Sequence, residues 1–437
     1  MMNAALVAIL VMLTLALCRI HVIISLLLGC IIGGVLGNLS IEAIIKAFNG
    51  GISNGAPIAL AYILLGAFSI AIDRSGLPQA FSDWITKQIT LNTAKTHLKW
   101  GLISLLILVS IASQNLVPVH IAFIPILIPP LLYIMSQLNI DRRAIACVLS
   151  FGLVAPYMFL PIGFGSIFLN QILLGNIAKF GASVADINIM QTMALPALGM
   201  FVGLIIALLI SYRKPRHYAV EINRASLTKK PLRLRALVIP LGAVTAAFIV
   251  QIYSNSMMLG ALFGFLLFMT TGTVKWKESD AVFTEGVQMM AMIGFIMITA
   301  QGFAEVLQAT GTINDLVANA VRLFGDNKGA AALVMLVTGL LVTTGVGSSF
   351  SVVPILAVVY VPICLKMGFS PAAIVALVGT SSVLGDAGSP VSDSALGPTS
   401  GLNGDGLHDH IKDTVIPTFL HLNIPLLIAG WIAVMVL

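Results

Sequence analysis

The chain has 437 residues, of which 58% are hydrophobic and 9% charged, with a formal net charge of +6 and a mean hydropathy of +1.03. A soluble domain carries about 25% charged residues, so these charges cannot build a water-facing surface for a body of this size. The basic excess forms no face: its residues sit in short gaps between apolar runs, which excludes a nucleic-acid patch and is the pattern of a multi-pass membrane protein.

Residues 1–4 hold no cationic region and no small-residue cleavage site follows, so 3–18 reads as a first spanning helix rather than a signal peptide. Further apolar stretches follow at 20–37, 55–72, 100–116, 118–137, 143–162 and 190–212. The second half offers 236–253, 256–272, 286–308, 330–346, 347–366, 371–391 and 414–436. Most approach the roughly 20 residues of a spanning helix, giving an all-α integral membrane fold of about 10–14 segments. Cys18, Cys30, Cys147 and Cys364 stand singly inside these runs, with neither disulfide nor metal spacing.

Sidedness follows from the Lys/Arg gaps. Residues 213–235 hold Arg213, Lys214, Arg216, Arg224, Lys229, Lys230, Arg233 and Arg235 against a single Glu221, so this linker is expected in the cytoplasm. Alternation puts Arg74, Lys87, Lys95 and Lys99, the Asp141–Arg143 turn and Lys275/Lys277 on the same side, Arg19 near it, and both termini outside. Segments 100–137 and 330–366 fit either two crossings or a hairpin that re-enters; parity is the same.

The halves are related. A shift of 235 positions places Phe48 on Phe283, Gly29 on Gly264, Gly37 on Gly272, Gly51 on Gly286 and Gly76 on Gly311. Further along the shift is 229, bringing Pro125-Ile126-Leu127 onto Pro354-Ile355-Leu356 and Ala144-Ile145 onto Ala373-Ile374. Each half has an odd number of crossings, so the second copy lies upside down in the membrane. The expected organisation is a first repeat over 1–212, a basic linker over 213–235 and an inverted repeat over 236–437. Inverted repeats are the mark of secondary transporters, with sites built from discontinuous helices at the midplane.

Two pairs of interruptions occupy matching places. The hairpin turns are Ser113-Gln114-Asn115-Leu116-Val117-Pro118 and Thr343-Thr344-Gly345-Val346-Gly347-Ser348-Ser349. The broken helices run Ala155-Pro156 to Pro161-Ile162-Gly163-Phe164-Gly165-Ser166, and Gly385-Asp386-Ala387-Gly388-Ser389-Pro390-Val391-Ser392-Asp393-Ser394. Irregular backbone at membrane depth is tolerated only where it lines a cavity. Freed carbonyls and hydroxyls suit a hard cation such as Na⁺, and half-helix N-termini suit a carboxylate. Candidate substrate-binding residues are therefore Ser113, Gln114, Asn115, Pro156, Gly163, Gly165, Ser348 and Ser349. Asp386, Ser389, Ser392 and Asp393 are the candidates for ion binding or proton coupling, since no acid stands at 152–160 and a carboxylate near the bilayer centre costs on the order of 3 kcal/mol. Glu305 is a further acidic candidate. His120 reads as a satisfied polar residue or as a proton carrier, and His408-Asp409-His410 as a solvated cytoplasmic loop rather than a metal tract.

The run Gly388-Ser389-Pro390-Val391-Ser392-Asp393-Ser394 resembles the Ser-Pro-Ile-Ser-Asp-Thr signature of NhaC-type sodium/proton antiporters. His408-Asp409-His410-Ile411-Lys412-Asp413-Thr414 with Pro417 is similar to that family's downstream stretch. The resemblance implies polar roles for Ser389, Ser392 and Asp393, and an overall plan like that of the ion transporter superfamily. Ser394 replaces the signature's Thr, and Leu396-Gly397-Pro398-Thr399 departs from its continuation. This is closer to the YuiF-like branch, regarded as amino-acid permeases with histidine among the proposed substrates.

The expected function is ion-coupled secondary transport, driven by Na⁺ or H⁺, of a small solute such as an amino acid, by alternating access across a bacterial inner membrane. Na⁺/H⁺ antiport is the alternative. Expected partners are the solute, the coupling ion and the lipid bilayer, with a homodimer compatible and no nucleic acid; no cofactor is expected beyond Na⁺ as coupling ion. An intramembrane aspartyl protease is disfavoured because Val383 stands where its Gly-x-Gly-Asp element needs glycine, and a channel because no filter-like run of carbonyls is evident.

Overall fold

The computed structural model describes residues 3–18, 20–77, 80, 95–116, 120–218, 235–254 and 256–437. Arg19, Lys87, the linker positions 219–234 and Val117-Pro118 of the first hairpin turn lie outside the described residues. Among the described residues the chain is helical throughout with no strand, and seven helices are long and apolar enough to cross a membrane by length and composition. Large apolar side chains such as Ile210, Val238 and Phe295 face outward, as a lipid-facing surface requires.

The first half runs through α1 (Ala4–Leu17), α2 (Val22–Leu36), α3 (Ile41–Arg74), α4 (Lys95–Ile111), α5 (His120–Leu127), α6 (Leu132–Gln137), α7 (Arg142–Val154), α8 (164–179) and α9 (Ile189–Ile206). The second half has α10 (Arg235–Ser254), α11 (Met257–Thr270), α12 (Ser279–Ala309), α13 (Ile313–Phe324), α14 (Lys328–Val346), α15 (Ser349–Lys366), α16 (Pro371–Val383), α17 (Asp393–Leu402) and α18 (410–436). Polar caps start many of them. Ser40, Asn327 and Ser370 each accept from the backbone N–H three residues on, satisfying donors that hydrocarbon leaves without water.

The central seam is made by α3 and α12, antiparallel and in backbone contact. A Cβ on Gly66 would lie 2.2 Å from Gly286 O, and one on Gly51 would lie 2.4 Å from Gln301 O. Only glycine permits that approach. The two contacts are one contact repeated, because the shift of 235 carries Gly51 to Gly286 and Gly66 to Gln301. The shift that relates the halves in sequence thus exchanges these two contacts, the pattern expected of inverted copies.

Lys328 Nζ, at the start of α14, donates to Gly368 O just past α15 at 2.5 Å, so this pair enters and leaves by one face. The first hairpin opens to the opposite face: α4 packs along α7, with Gly152 against Ser110. The return arm α5 packs on α17, Gly401 lying against Ile128.

Ion pairs mark the two faces. At one, Lys179 pairs with Glu305 at 2.5 Å, Asn3 Nδ2 donates to Thr312 O at 2.6 Å and Ser370 Oγ donates to Leu437 O at 2.9 Å, so Asn3 and Leu437 both lie there. At the other, Arg74 pairs with Glu285 at 2.6 Å, and Arg216 with Asp413 at 3.0 Å. The fully buried Arg142 makes two hydrogen bonds to Asp405, at 2.6 and 2.5 Å, and also reaches Leu402 O. This ties α7 to the end of α17. Partial burial pushes the Asp405 carboxyl up, but the hydrogen bonds and charge of Arg142 outweigh it and hold the group below its ordinary range.

Candidate functional site

Both helix interruptions meet hairpin residues 113–116 and 343–349 in the interior of the bundle. Helix α7 stops before Pro156, which has no N–H to continue the ladder, and α8 begins only at Phe164. In the second half α16 ends at Val383, Gly385 N donates to Asn423 Oδ1 at 3.2 Å, and α17 starts behind the cap Ser392. The hairpin turns close onto these breaks. Gly347 caps α14 at φ +75° against Val391, where a side chain would be both strained and blocked. On the other side Gly165 N donates to Asn115 Oδ1 at 3.1 Å.

Between them lies a cavity of about 50 Å³. A single bound water needs about 10–15 Å³ of such free space, so the cavity takes a few waters, an ion or a small group. Its polar lining is Gln114, His120, Tyr157, Ser348, Ser349, Asp386, Ser392, Asp393 and Ser394. No Lys or Arg lines it among the described residues.

The two acids are held very differently. Asp386 accepts from Tyr157 Oη at 2.5 Å and Ser349 Oγ at 2.8 Å on one oxygen, and from Ser392 Oγ and Ser394 Oγ, the latter at 3.1 Å, on the other. Four hydroxyl donors satisfy a buried carboxylate and fix it in place. Asp393 faces the same cavity with no hydrogen-bond or ion-pair partner among the described residues. Opposite, Gln114 Oε1 and His120 Nδ1 are buried polar atoms that likewise lack a partner.

Of the expected site residues, Gln114, Ser348, Ser349, Asp386, Ser392 and Asp393 line the cavity. Ser113, Asn115, Pro156, Gly163, Gly165 and Ser389 stand behind it. Ser113 Oγ donates to Ser110 O at 3.1 Å and Ser389 Oγ to Thr344 O at 3.0 Å, so these two brace the interruptions. Glu305 is away from the cavity, paired with Lys179. His120, read first as satisfied, keeps an unpartnered ring nitrogen. The His408–His410 stretch is not simply solvated: His408 is buried and bonds Thr414, and His410 bonds Thr399 and Pro390 O. The described residues hold no cluster of three or more metal-ligating groups.

Tyr157 and Phe164 escaped notice in the sequence, yet the repeat register points to both. The shift of 229 that aligns Pro125 with Pro354 carries Tyr157 onto Asp386, Phe164 onto Asp393 and His120 onto Ser349. All six line one cavity. Where the second copy has carboxylates, the first has aromatic rings.

Comparison with known proteins places this geometry. A family model described as the Na⁺/H⁺ antiporter family matches residues 148–431, and one described as the Na⁺-H⁺ antiporter family matches 3–89. The chain belongs to the Na⁺/H⁺ antiporter family. It is 51% identical to an uncharacterized membrane protein of Vibrio parahaemolyticus over 100% of both chains. It is 44% identical to the putative amino acid transporter YuiF of Bacillus subtilis, again over 100% of both. In fold it is similar to the YdaH transporter of Alcanivorax borkumensis, with a TM-score of 0.59 at 13% identity, covering 91% of this chain and 89% of that one. Neisseria gonorrhoeae MtrF gives 0.57 at 17% identity, covering 91% and 85%. This antiporter-family chain is thus a multi-pass membrane transporter and not an enzyme, and its transport is ion-coupled.

Proposed function

We infer that the protein moves a small solute, an amino acid in the first instance, across the bacterial inner membrane by coupling it to Na⁺ or H⁺ bound at the mid-depth cavity. The observation that carries this reading is Asp393, a carboxylate with no hydrogen-bond or ion-pair partner among the described residues, in the cavity lining beside a second, fully hydrogen-bonded one. An unpaired charge at that depth is costly, and a bound cation or proton offsets it. Asp386, held by four hydroxyls, is the fixed acid, with Ser392 as a further ion ligand; Asp393 is the one that exchanges. Gln114, Ser348 and Ser349 are the solute-facing residues. The bracing group of Ser113, Asn115, Pro156, Gly163, Gly165 and Ser389 contributes by holding the interruptions open.

The two repeats divide at the basic linker 213–235, and alternating access would move the hairpins and broken helices against the α3–α12 seam. The amino-acid assignment draws support from the likeness to YuiF. The family descriptions favour Na⁺/H⁺ antiport as the second reading.

Reconstitution separates them. Radiolabelled histidine uptake into proteoliposomes, with Na⁺ and H⁺ gradients imposed separately, should be concentrative with one gradient and absent in Asp393→Asn. Proton movement on Na⁺ addition without amino-acid uptake would select antiport. Wild-type transport by Asp393→Asn would overturn the assignment of the site. Cross-linking in native membranes tests the homodimer.

A further inference from the structure

The cavity lies between two chemically unlike walls. The second repeat contributes Asp386 and Asp393 with the hydroxyls of Ser348, Ser349, Ser392 and Ser394. From the first come Tyr157 and Phe164, which pack with Phe350 at centroid distances of 5.4 and 4.5 Å, together with Gln114 and His120. The last two are 6% and 5% exposed and keep Oε1 and Nδ1 without partners. Leaving such atoms unpaired in a low-dielectric interior costs about 1–3 kcal/mol each, so both are expected to be satisfied in some loaded state.

A positively charged occupant suits this cavity, because two acids line it and no Lys or Arg does among the described residues. A bare alkali cation accounts for the oxygen-rich wall alone. Hard cations take oxygen ligands, and neither an imidazole nitrogen nor a ring face is a good substitute. An N–H donor accounts for both walls. Its hydrogens can pair with a carboxylate and with the amide oxygen and imidazole nitrogen, beside aromatic residues of the lining whose quadrupoles favour a cation where water is excluded.

From this juxtaposition we propose that the first-repeat wall (Gln114, His120, Tyr157 and Phe164) seats the ammonium group of an organic amine, opposite the carboxylates that take the coupling ion. This rests on the cavity being the transport site. It narrows the substrate class to primary amines, amino acids included, recognised through the amine.

Isothermal titration of the purified full-length protein at neutral pH, with ethylammonium chloride, sodium chloride and potassium acetate in turn, tests it. Ethylammonium should bind saturably and acetate should not. Gln114→Leu and His120→Leu, made separately so that a folding failure in one leaves the other to decide, should each weaken ethylammonium about tenfold more than Na⁺. Asp393→Asn should weaken both. Saturable Na⁺ binding with no ethylammonium binding overturns the proposal and leaves the transport site standing, as does an equal loss of both cations in the two wall variants. If neither cation binds to the wild type, the proposal and the assignment of the cavity fall together.

Discussion

Replacing each acid by asparagine should separate structure from transport. Asparagine keeps one carboxyl oxygen of Asp386 and turns the other into a donor facing donors. At least two of the four bonds from Tyr157, Ser349, Ser392 and Ser394 are lost. A hydrogen bond to a charged group contributes about 1.5–3 kcal/mol, so Asp386→Asn should cost about 3–6 kcal/mol of stability. Asp393 makes no such bond, and Asp393→Asn also removes a like charge from beside Asp386; it should keep the wild-type stability while losing ion-driven transport. Cys30, Cys147 and Cys364 are buried, so a thiol-reactive dye reports unfolding of the detergent-solubilised protein on heating. The expected order is a lowered midpoint for Asp386→Asn and an unchanged one for Asp393→Asn. Equal losses in the two variants, or a wild-type midpoint for Asp386→Asn, would refute the division of roles.

Three further outcomes follow from the fold. Gly286→Ala places a Cβ 2.3 Å from the backbone of Ala67 and should cost at least about 1–3 kcal/mol by overpacking; Gly242→Ala, with nothing within 4 Å, is the control and should be neutral in the same dye assay. Asp405→Asn leaves Arg142 buried with its charge uncompensated, a loss of about 3 kcal/mol at neutral pH. Because the folded Asp405 carboxyl is held below its ordinary range, that stability is complete above the ordinary carboxylate range and is lost as pH falls through the lowered value; the gap between wild type and variant should close in acid, read from unfolding midpoints across pH. Finally, Lys277→Cys and Lys328→Cys should react with an impermeant maleimide from opposite faces of sealed vesicles, the first only from the cytoplasm. Labelling of both from one face would contradict the opposed hairpins.

Much of this architecture is legible in the residues because hydrocarbon allows few alternatives. Long apolar runs must be helices, and a Pro/Gly-rich polar break such as 385–394 must line something. The repeat register, held through Gly51/Gly286 and Pro125/Pro354, carries the inversion. What escaped notice has identifiable causes. Tyr157 and Phe164 look like ordinary core aromatics until the register sets them against Asp386 and Asp393. The amphipathic helix α13 fell between two apolar windows, although Ile313, Leu316, Val317, Ala320, Val321 and Phe324 recur at helical spacing. Ser113 and Ser389 sit on the right turns, but whether a hydroxyl faces the cavity or braces the backbone depends on its rotamer and its neighbours, which composition does not encode. The 19 residues of α14 suffice to cross, so length fits a crossing and a re-entrant hairpin alike.

The length of the seam helices bears on how the protein meets its lipid. At 1.5 Å per residue, the 34 residues of α3 and the 31 of α12 reach about 51 and 46 Å, well beyond a hydrocarbon thickness of about 30 Å. Their ends must emerge into the headgroups or lean, and the exposed Arg74–Glu285 pair is chemically at ease in that zone. A bilayer that thins or thickens by a few ångströms changes only how much of each end stands in the headgroup layer. The pair's mutual register, set by backbone contact at its glycines, is thereby buffered against lipid composition.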